Sequence, residues 1–196
     1  MRRIFWFVTV SLDGYFEGPN HDISWHNVDE ESNKFAIEML REVDTILFGR
    51  RTYQLFEDYW PRASIDPDIT KDRLEIANLI NNVNKIVFSR TLPRVEEREN
   101  WKSVKLIHQL NPAEIKRWKE EPGKDMSVGG NNLCVSLACE GLVDELRLMV
   151  NPLVLGKGTP ILGGLGRMNL KLEKTRAFAS GNVLLTYRLD RTKPSC

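Results

Sequence analysis

The sequence predicts an α/β fold, a mixed and mostly parallel sheet flanked by helices with an antiparallel C-terminal edge. Three observations carry this prediction. Short continuous apolar runs, such as Thr45-Ile46-Leu47-Phe48 and Lys85-Ile86-Val87-Phe88-Ser89, read as strands buried on both faces. Segments with helix start and stop signals separate them, so strands alternate with helices as parallel sheets require. The last third then changes character. Residues 143–150 alternate like a strand at a sheet border, and residues 171–174 and 183–189 suit a closing strand pair.

Taken in order, residues 4–10 are aromatic and β-branched, hence a strand, ending at Ser11-Leu12-Asp13-Gly14. A loop through Gly18-Pro19-Asn20 and Asp22-Ile23-Ser24-Trp25 follows. Asp29 or Ser32 caps a helix to about Val43, with Phe35, Ile37, Met39 and Leu40 as its apolar content. After the strand at 45–48, Gly49-Arg50-Arg51-Thr52-Tyr53 opens a helix that Pro61 is expected to end. Residues 70–81 read as a helix, 85–89 as a strand, 96–101 as irregular and 104–107 as a strand. Asn111-Pro112 starts a helix with proline at its first position, and Pro122-Gly123 ends it. The next strand, Asp125-Met126-Ser127-Val128, meets Gly129 and Gly130, and a helix runs from Asn132 to about Glu140. The glycine-rich passage 152–164 needs burial at Val154, Leu155, Ile161 and Leu162, so it is no linker.

The bulk numbers narrow the function. A length of 196 residues suits one domain spanning 1–196. At 41% hydrophobic and 28% charged the composition is that of a soluble globular chain. A net charge of +1 gives no reason to expect nucleic acid or an anionic membrane as partner. No apolar run reaches membrane-spanning length, and Ser11 and Asp13 interrupt the N-terminal one before it resembles a signal peptide. Cys134, Cys139 and Cys196 are odd in number, and His21, His26 and His108 are scattered. A reduced, cytoplasmic chain without a metal site is expected.

Three strand ends share one design. Phe48 leads into Gly49-Arg50-Arg51-Thr52, Phe88 into Ser89-Arg90-Thr91, and Val128 into Gly129-Gly130-Asn131-Asn132. In open α/β sheets ligands bind outside the carboxyl ends of strands. Glycines allow close approach, helix starts offer free N–H groups, and arginines offer guanidinium forks. Gly129 and Gly130 alone are equally a phosphate cradle or a plain strand–helix turn. Three such ends together imply a long ligand with phosphates in more than one place. Arg50, Arg51 and Arg90 would meet an additional 2′-phosphate, favouring NADPH over NADH. The Gly-x-Gly-x-x-Gly fingerprint is absent after the first strand, which excludes an ordinary Rossmann domain.

These marks, together with Arg41-Glu42-Val43-Asp44, Glu140-Gly141-Leu142-Val143-Asp144-Glu145-Leu146, Asn151-Pro152 and Gly156-Lys157-Gly158, resemble the dihydrofolate-reductase-like superfamily. The resemblance is closest to the C-terminal reductase domain of bacterial riboflavin-biosynthesis deaminase-reductases and their stand-alone relatives, and it spans about residues 3–189. It implies NADPH-dependent hydride transfer to a small pyrimidine-, pteridine- or imine-type substrate. Gly129, Gly130, Asn131 and Asn132 would hold the pyrophosphate. Gly49, Arg50, Arg51, Thr52, Ser89 and Arg90 would hold the adenosine side. Ser11, Trp25 and Asp29 would face the substrate, and Asp13 and Glu30 would be the catalytic acids. A homodimer formed through residues 142–155 is implied as well. The chain departs from the riboflavin branch at Val128, where that branch carries glutamate, and at Ser89, where it carries aspartate. No deaminase motif is present. Dihydrofolate reduction and a nucleotide-binding module without turnover are the competing readings.

Several of these residues also have structural readings. Asp13 before Gly14 is a common turn pairing, and Asp29 and Glu30 are the acids a helix start prefers. Trp25 either stacks on a planar substrate or packs as a lid residue. Asp144 and Glu145 are expected to be structural. Tyr53, Phe56, Tyr59 and Trp60 are expected to form core or pocket wall, and His26 and His108 to lie on the surface.

Overall fold

The computed structural model describes residues 1–189. Its elements in chain order are β1 (Ile4–Ser11), β2 (Tyr15–Glu17), α1 (Glu30–Arg41), β3 (Val43–Gly49), α2 (Arg50–Ala63), α3 (Lys71–Asn82), β4 (Asn84–Phe88), β5 (Val104–Ile107), α4 (Pro112–Glu120), β6 (Asp125–Gly129), α5 (Asn131–Cys139), β7 (Glu145–Asn151), β8 (Thr159–Pro160), β9 (Leu170–Ala177) and β10 (Val183–Leu189). Eight strands form one sheet in the order β5-β4-β3-β6-β1-β7-β10-β9. Neighbours from β5 to β7 are parallel, and β10 pairs antiparallel with both β7 and β9. The mostly parallel sheet with an antiparallel edge is therefore as the sequence predicts.

The strand order decides where the helices go. From β1 to β3 to β4 the chain moves one way along the sheet; from β5 to β6 to β7 it moves back. Right-handed crossovers then place α1, α2 and α3 on one face and α4 and α5 on the other. The cores agree. Ile46 and Phe48 pack with Ile37, Tyr53, Ile76, Ile80, Val87 and Trp101. Leu47, pointing to the other face, packs with Ile115, Val128, Leu133 and Leu137. A third cluster of Phe35, Met149, Phe178 and Leu184 seats α1 over the antiparallel edge.

The helix starts follow local chemistry. Asp29 accepts from Ser32 N at 2.7 Å, Thr70 from Arg73 N at 3.4 Å and Asn111 from Ala113 N at 3.0 Å. At the amino ends of the strands, Lys119 Nζ donates to the Asp144 carboxylate at 2.6 Å, and Asp144 also accepts Ile4 N at 2.8 Å. Glu145 takes Arg147 Nε at 2.5 Å while that guanidinium lies 3.8 Å from the Phe5 ring centroid. Asp144 and Glu145 thus tie β1, β7 and α4 together.

Several expectations are corrected. Helix α2 does not end at Pro61 but continues through it to Ala63, because a proline in a last turn forfeits little more than its own donor. Residues 96–101 are not merely irregular: Trp101 is fully buried and stands 6.0 Å from Tyr53 in a tilted ring pair. His26 is half-buried, its ring edge-on to Trp25, and loss of water pushes its pKa below the usual histidine value. Within residues 142–155, β7 is hydrogen-bonded on both edges and Leu142, Val143, Leu146 and Met149 are buried in the chain's own core, whereas Val154 is exposed. Among the described residues, Cys134 is a free buried thiol. Among the described residues, no helix is long and apolar enough to cross a membrane and no cluster of metal-ligating side chains occurs.

Lys85 yields a stability prediction. Its ammonium is 1% exposed, donates to the Asn81, Val83 and Lys102 carbonyls and lies 4.3 Å from the Trp101 ring centroid. Burial lowers its pKa from 10.5 to about 8, with Glu97 opposing the shift. Between those values the unfolded chain holds the proton that the folded chain has released, so stability rises with pH across that window. Denaturant titrations from pH 8 to about 10.5 are expected to show a gain on the order of 3 kcal/mol over a Lys85→Met variant measured in parallel. Parallel profiles would contradict the assignment.

Candidate active site

The site is built where neighbouring strands part company. β3 and β6 are paired, with Phe48 opposite Gly129. β3 sends α2 to one face of the sheet and β6 sends α5 to the other, so the chain diverges beyond their carboxyl ends, the place where open α/β sheets form a ligand crevice. The turns that border it almost touch. A Cβ on Gly130, whose φ is +122°, would lie 3.0 Å from Thr52 Oγ1 and 3.7 Å from Gly49 N. A Cβ on Gly129 would lie 2.7 Å from the Phe48 ring.

Both helices that begin here lack a side-chain cap. Gly49 and Gly130 are their N-cap residues and have no side chain to give, whereas α1, α3 and α4 are capped by Asp29, Thr70 and Asn111. The first N–H groups of α2 and α5 and two positive helix ends therefore converge on one crevice. On its other side β1 outruns β6. The two pair only from Ile4 to Trp6, while β1 continues beside β7 until Ser11 meets Asn151. Beyond Trp6 the edge of β1 is open toward the crevice, presenting main-chain donors and acceptors.

The arginines flank this crevice in opposite directions. Arg50 Nη1 donates to Thr91 Oγ1 at 2.8 Å, beyond the end of β4. Ser89 folds back on its own turn, accepting Thr91 N at 3.3 Å and Leu92 N at 2.9 Å, and Arg90 is exposed. Arg51 Nη1 instead lies 3.3 Å from His21 Nε2. Successive helix residues point about 100° apart, so adjacency in sequence does not place the two guanidiniums together. Asn131 is buried, and its side-chain Oδ1 accepts Leu162 N at 3.1 Å, which orients the side chain at the start of α5. Asn132 is exposed.

The residues nominated for the substrate side are already engaged. Ser11 is buried and its hydroxyl oxygen accepts Tyr15 N at 3.0 Å. The Asp13 carboxylate accepts Leu155 N at 3.1 Å and Gly156 N at 2.7 Å. The Ser11 hydroxyl and those two amides hold the Asp13 carboxyl below the usual carboxylate range. Asp29 is likewise lowered, by Ser32, and Glu30 by its 2.5 Å pair with Lys34. All three are ionised at neutral pH and none stands ready as an acid. Glu31 accepts Arg176 Nη2 at 3.3 Å and Ala179 N at 3.0 Å. Trp25 Nε1 donates to Asp22 O at 3.0 Å, in the loop before α1.

The structure thus gathers Gly49, Arg50, Arg51, Thr52, Gly129, Gly130 and Asn131 at one crevice, with Ser89 and Arg90 one strand further out. Ser11 and Asp13 end β1, and Asp29 and Glu30 start α1. Sequence reading missed Glu17, His21 and Thr159. They reach Arg51 through the β2–β8 pair, which strands of three and two residues do not announce. Two surface hollows of about 450 and 500 Å³ lie at the opposite edge of the sheet, around Arg2, Lys85 and Ser103 and around Arg41, Glu75 and Lys124. Lys85 and Arg2 there serve the fold, and no helix start points in.

Comparison with known proteins agrees with the fold. The RibD C-terminal domain family matches residues 2–185. The Bacillus subtilis (strain 168) protein YyaP is 36% identical over 188 residues, 95% of this chain and 94% of its own. YwjB of the same organism is 26% identical over 189 residues, 95% and 97% of the two chains. Among solved structures, a Shewanella sp. PV-4 protein named for riboflavin biosynthesis superposes with a TM-score of 0.71 at 20% identity, covering 96% of this chain and 99% of the other. The Thermotoga maritima deaminase/5-amino-6-(5-phosphoribosylamino)uracil reductase gives 0.65 at 16% identity, covering 96% of this chain and 57% of that one. Dihydrofolate reductase from Enterococcus faecalis complexed with NADP(H) gives 0.59 at 14% identity, covering 96% of each chain. These structural likenesses establish the dihydrofolate-reductase-like fold.

Asp13 is expected to act as an anchor for the 155–156 turn. An Asp13→Asn variant should show faster hydrogen exchange at the Leu155 and Gly156 amides with the global unfolding midpoint nearly unchanged. Unaltered exchange at both amides would show that the carboxylate does not hold the turn.

Proposed function

Because the chain belongs to the RibD C-terminal domain family, we propose that it is an NADPH-dependent reductase of a small pyrimidine-, pteridine- or imine-type molecule, akin to 5-amino-6-(5-phosphoribosylamino)uracil reductases. One observation carries the cofactor half of this reading: two uncapped helix starts meet across glycine turns, between guanidiniums that diverge. That arrangement fits a dinucleotide laid along the carboxyl ends of the strands. The N–H groups at the starts of α2 and α5 would take the pyrophosphate, with Arg51 beside it. Arg50, with Thr91 and the exposed Arg90 beyond it, would take a 2′-phosphate on the adenosine side. The open edge of β1 past Trp6 would pair with the nicotinamide carboxamide, whose donor and acceptor match an unpaired strand. NADPH, when bound, supplies a hydride.

The chain's own share of the chemistry is positioning. Half-buried Phe7, on the α1 face of β1, gives a flat acceptor a wall, with its ring 5.7 Å from that of Phe35. The acceptor's proton comes from water, since Asp13, Asp29 and Glu30 are all held ionised. The same facts count against dihydrofolate reduction, which needs an available carboxyl at the start of α1, where Asp29, Glu30 and Glu31 are all engaged. Val128 is 3% exposed within the core, so the substrate group that glutamate meets in the riboflavin branch has no counterpart here.

Tryptophan fluorescence, with five tryptophans as reporters, tests the assignment. Arg50→Ala is expected to weaken NADPH by roughly tenfold or more while leaving NADH nearly unchanged, whereas Arg51→Ala weakens both about equally. Equal losses for the two cofactors in Arg50→Ala would sink the 2′-phosphate assignment. Failure of the unaltered protein to bind either cofactor would sink the reading as a whole.

A further inference from the structure

Arg51 meets His21 in a contact whose donor and acceptor the guanidinium fixes. A guanidinium can only donate, so at 3.3 Å from Arg51 Nη1 the His21 Nε2 atom is the acceptor. The imidazole proton then sits on Nδ1, which donates to Glu17 Oε1 at 2.8 Å. The same Glu17 oxygen accepts Thr159 Oγ1 at 2.7 Å, so β2 and β8 orient the ring together. Gly158 makes that pairing possible, because its backbone, at φ +155°, approaches Glu17 O so closely that a Cβ would lie 2.2 Å away. Asn20 and His21 both adopt left-handed φ, 59° and 62°, in a turn closed by Gly18 N donating to Asp22 O at 2.8 Å. Asparagine and histidine are among the side chains that tolerate this backbone best, and the turn presents the imidazole to Arg51.

We propose that His21 is a further ligand-binding residue, which joins Arg51 on the pyrophosphate of the dinucleotide and takes up a proton as the ligand binds. This rests on the reading of the crevice as a dinucleotide site. A proton on Nε2 in the free protein would set two cations side by side, since Arg51 is the partner of that nitrogen among the described residues. A phosphate oxygen reaching both groups inverts that relation: two donors then share one acceptor, and Glu17 on the far nitrogen stabilises the imidazolium. The charged groups in contact with the ring are Glu17 from β2 and Arg51 from α2, and both favour this outcome once an anion is present. Anion and proton therefore bind cooperatively, each strengthening the other by the same factor. Because Arg51 and His21 lie away from Arg50 and Thr91, the coupling belongs to the pyrophosphate and is shared by NADH and NADPH.

The test uses NADH, which lacks the 2′-phosphate and its own titration near neutral pH. Dissociation constants are measured for the unaltered protein and His21→Gln at pH 8 and pH 6, the range in which imidazoles change charge. On lowering the pH, NADH affinity of the unaltered protein is expected to gain roughly tenfold relative to His21→Gln. In proton NMR the His21 imidazole should stay protonated to higher pH in the complex than in the free protein. Arg51→Ala should remove most of the difference between the two proteins. Superimposable pH profiles, with NADH bound by both, would overturn the role of His21 and leave the dinucleotide site standing. Absence of NADH and NADPH binding by the unaltered protein would overturn the dinucleotide site, and the role of His21 with it.

Discussion

The close approach of the Gly49 and Gly130 turns governs the geometry of the candidate site. A side chain at Gly130 would press on Thr52 Oγ1 and approach the Gly49 main chain, closing the gap between the starts of α2 and α5. Because those helices go to opposite faces of the sheet, their free N–H groups meet only at that gap. The strand order forces the divergence, and glycine keeps the space it opens. The guanidiniums then extend the positive region along the sheet edge, one toward β4 and one toward the β2–β8 pair.

The opposite edge of the sheet is built for cohesion. Asp144 is shared by Lys119 and the Ile4 amide, Arg2 is paired with Asp44, and Lys85 is fixed by three carbonyls. There α3 ends against a buried cation. At the carboxyl edge two helix starts are left without caps while every acid nearby is engaged. That contrast, an edge tied by ion pairs and an edge with helix-start donors to spare, supports the proposal that the site lies at the carboxyl end of the strands.

Much of this was legible in the sequence. Continuous apolar strands and capped helix starts report the α/β alternation directly, since each is set by neighbours within a few residues. The three strand ends were readable for the same reason, and the family resemblance fixed their order in a known fold. What stayed hidden depends on distant partners. Asp13 reads as a possible acid until Leu155 and Gly156 are seen to bind its carboxylate. Much of the apolar content of residues 142–155 is explained only once β1 and β10 are found on either side of β7. Arg50 and Arg51 read as one cluster, because only helical geometry separates them, and His21 carries no local signal at all.

Hydrogen exchange measured with and without NADPH tests the central claim most directly. Protection is expected at the starts of α2 and α5, in Arg50, Arg51 and Thr52 and in Asn131, Asn132 and Leu133, with little change around Arg2, Lys85 and Ser103. Protection confined to that opposite edge, or none at either helix start, would contradict the placement of the cofactor along the carboxyl ends of the strands.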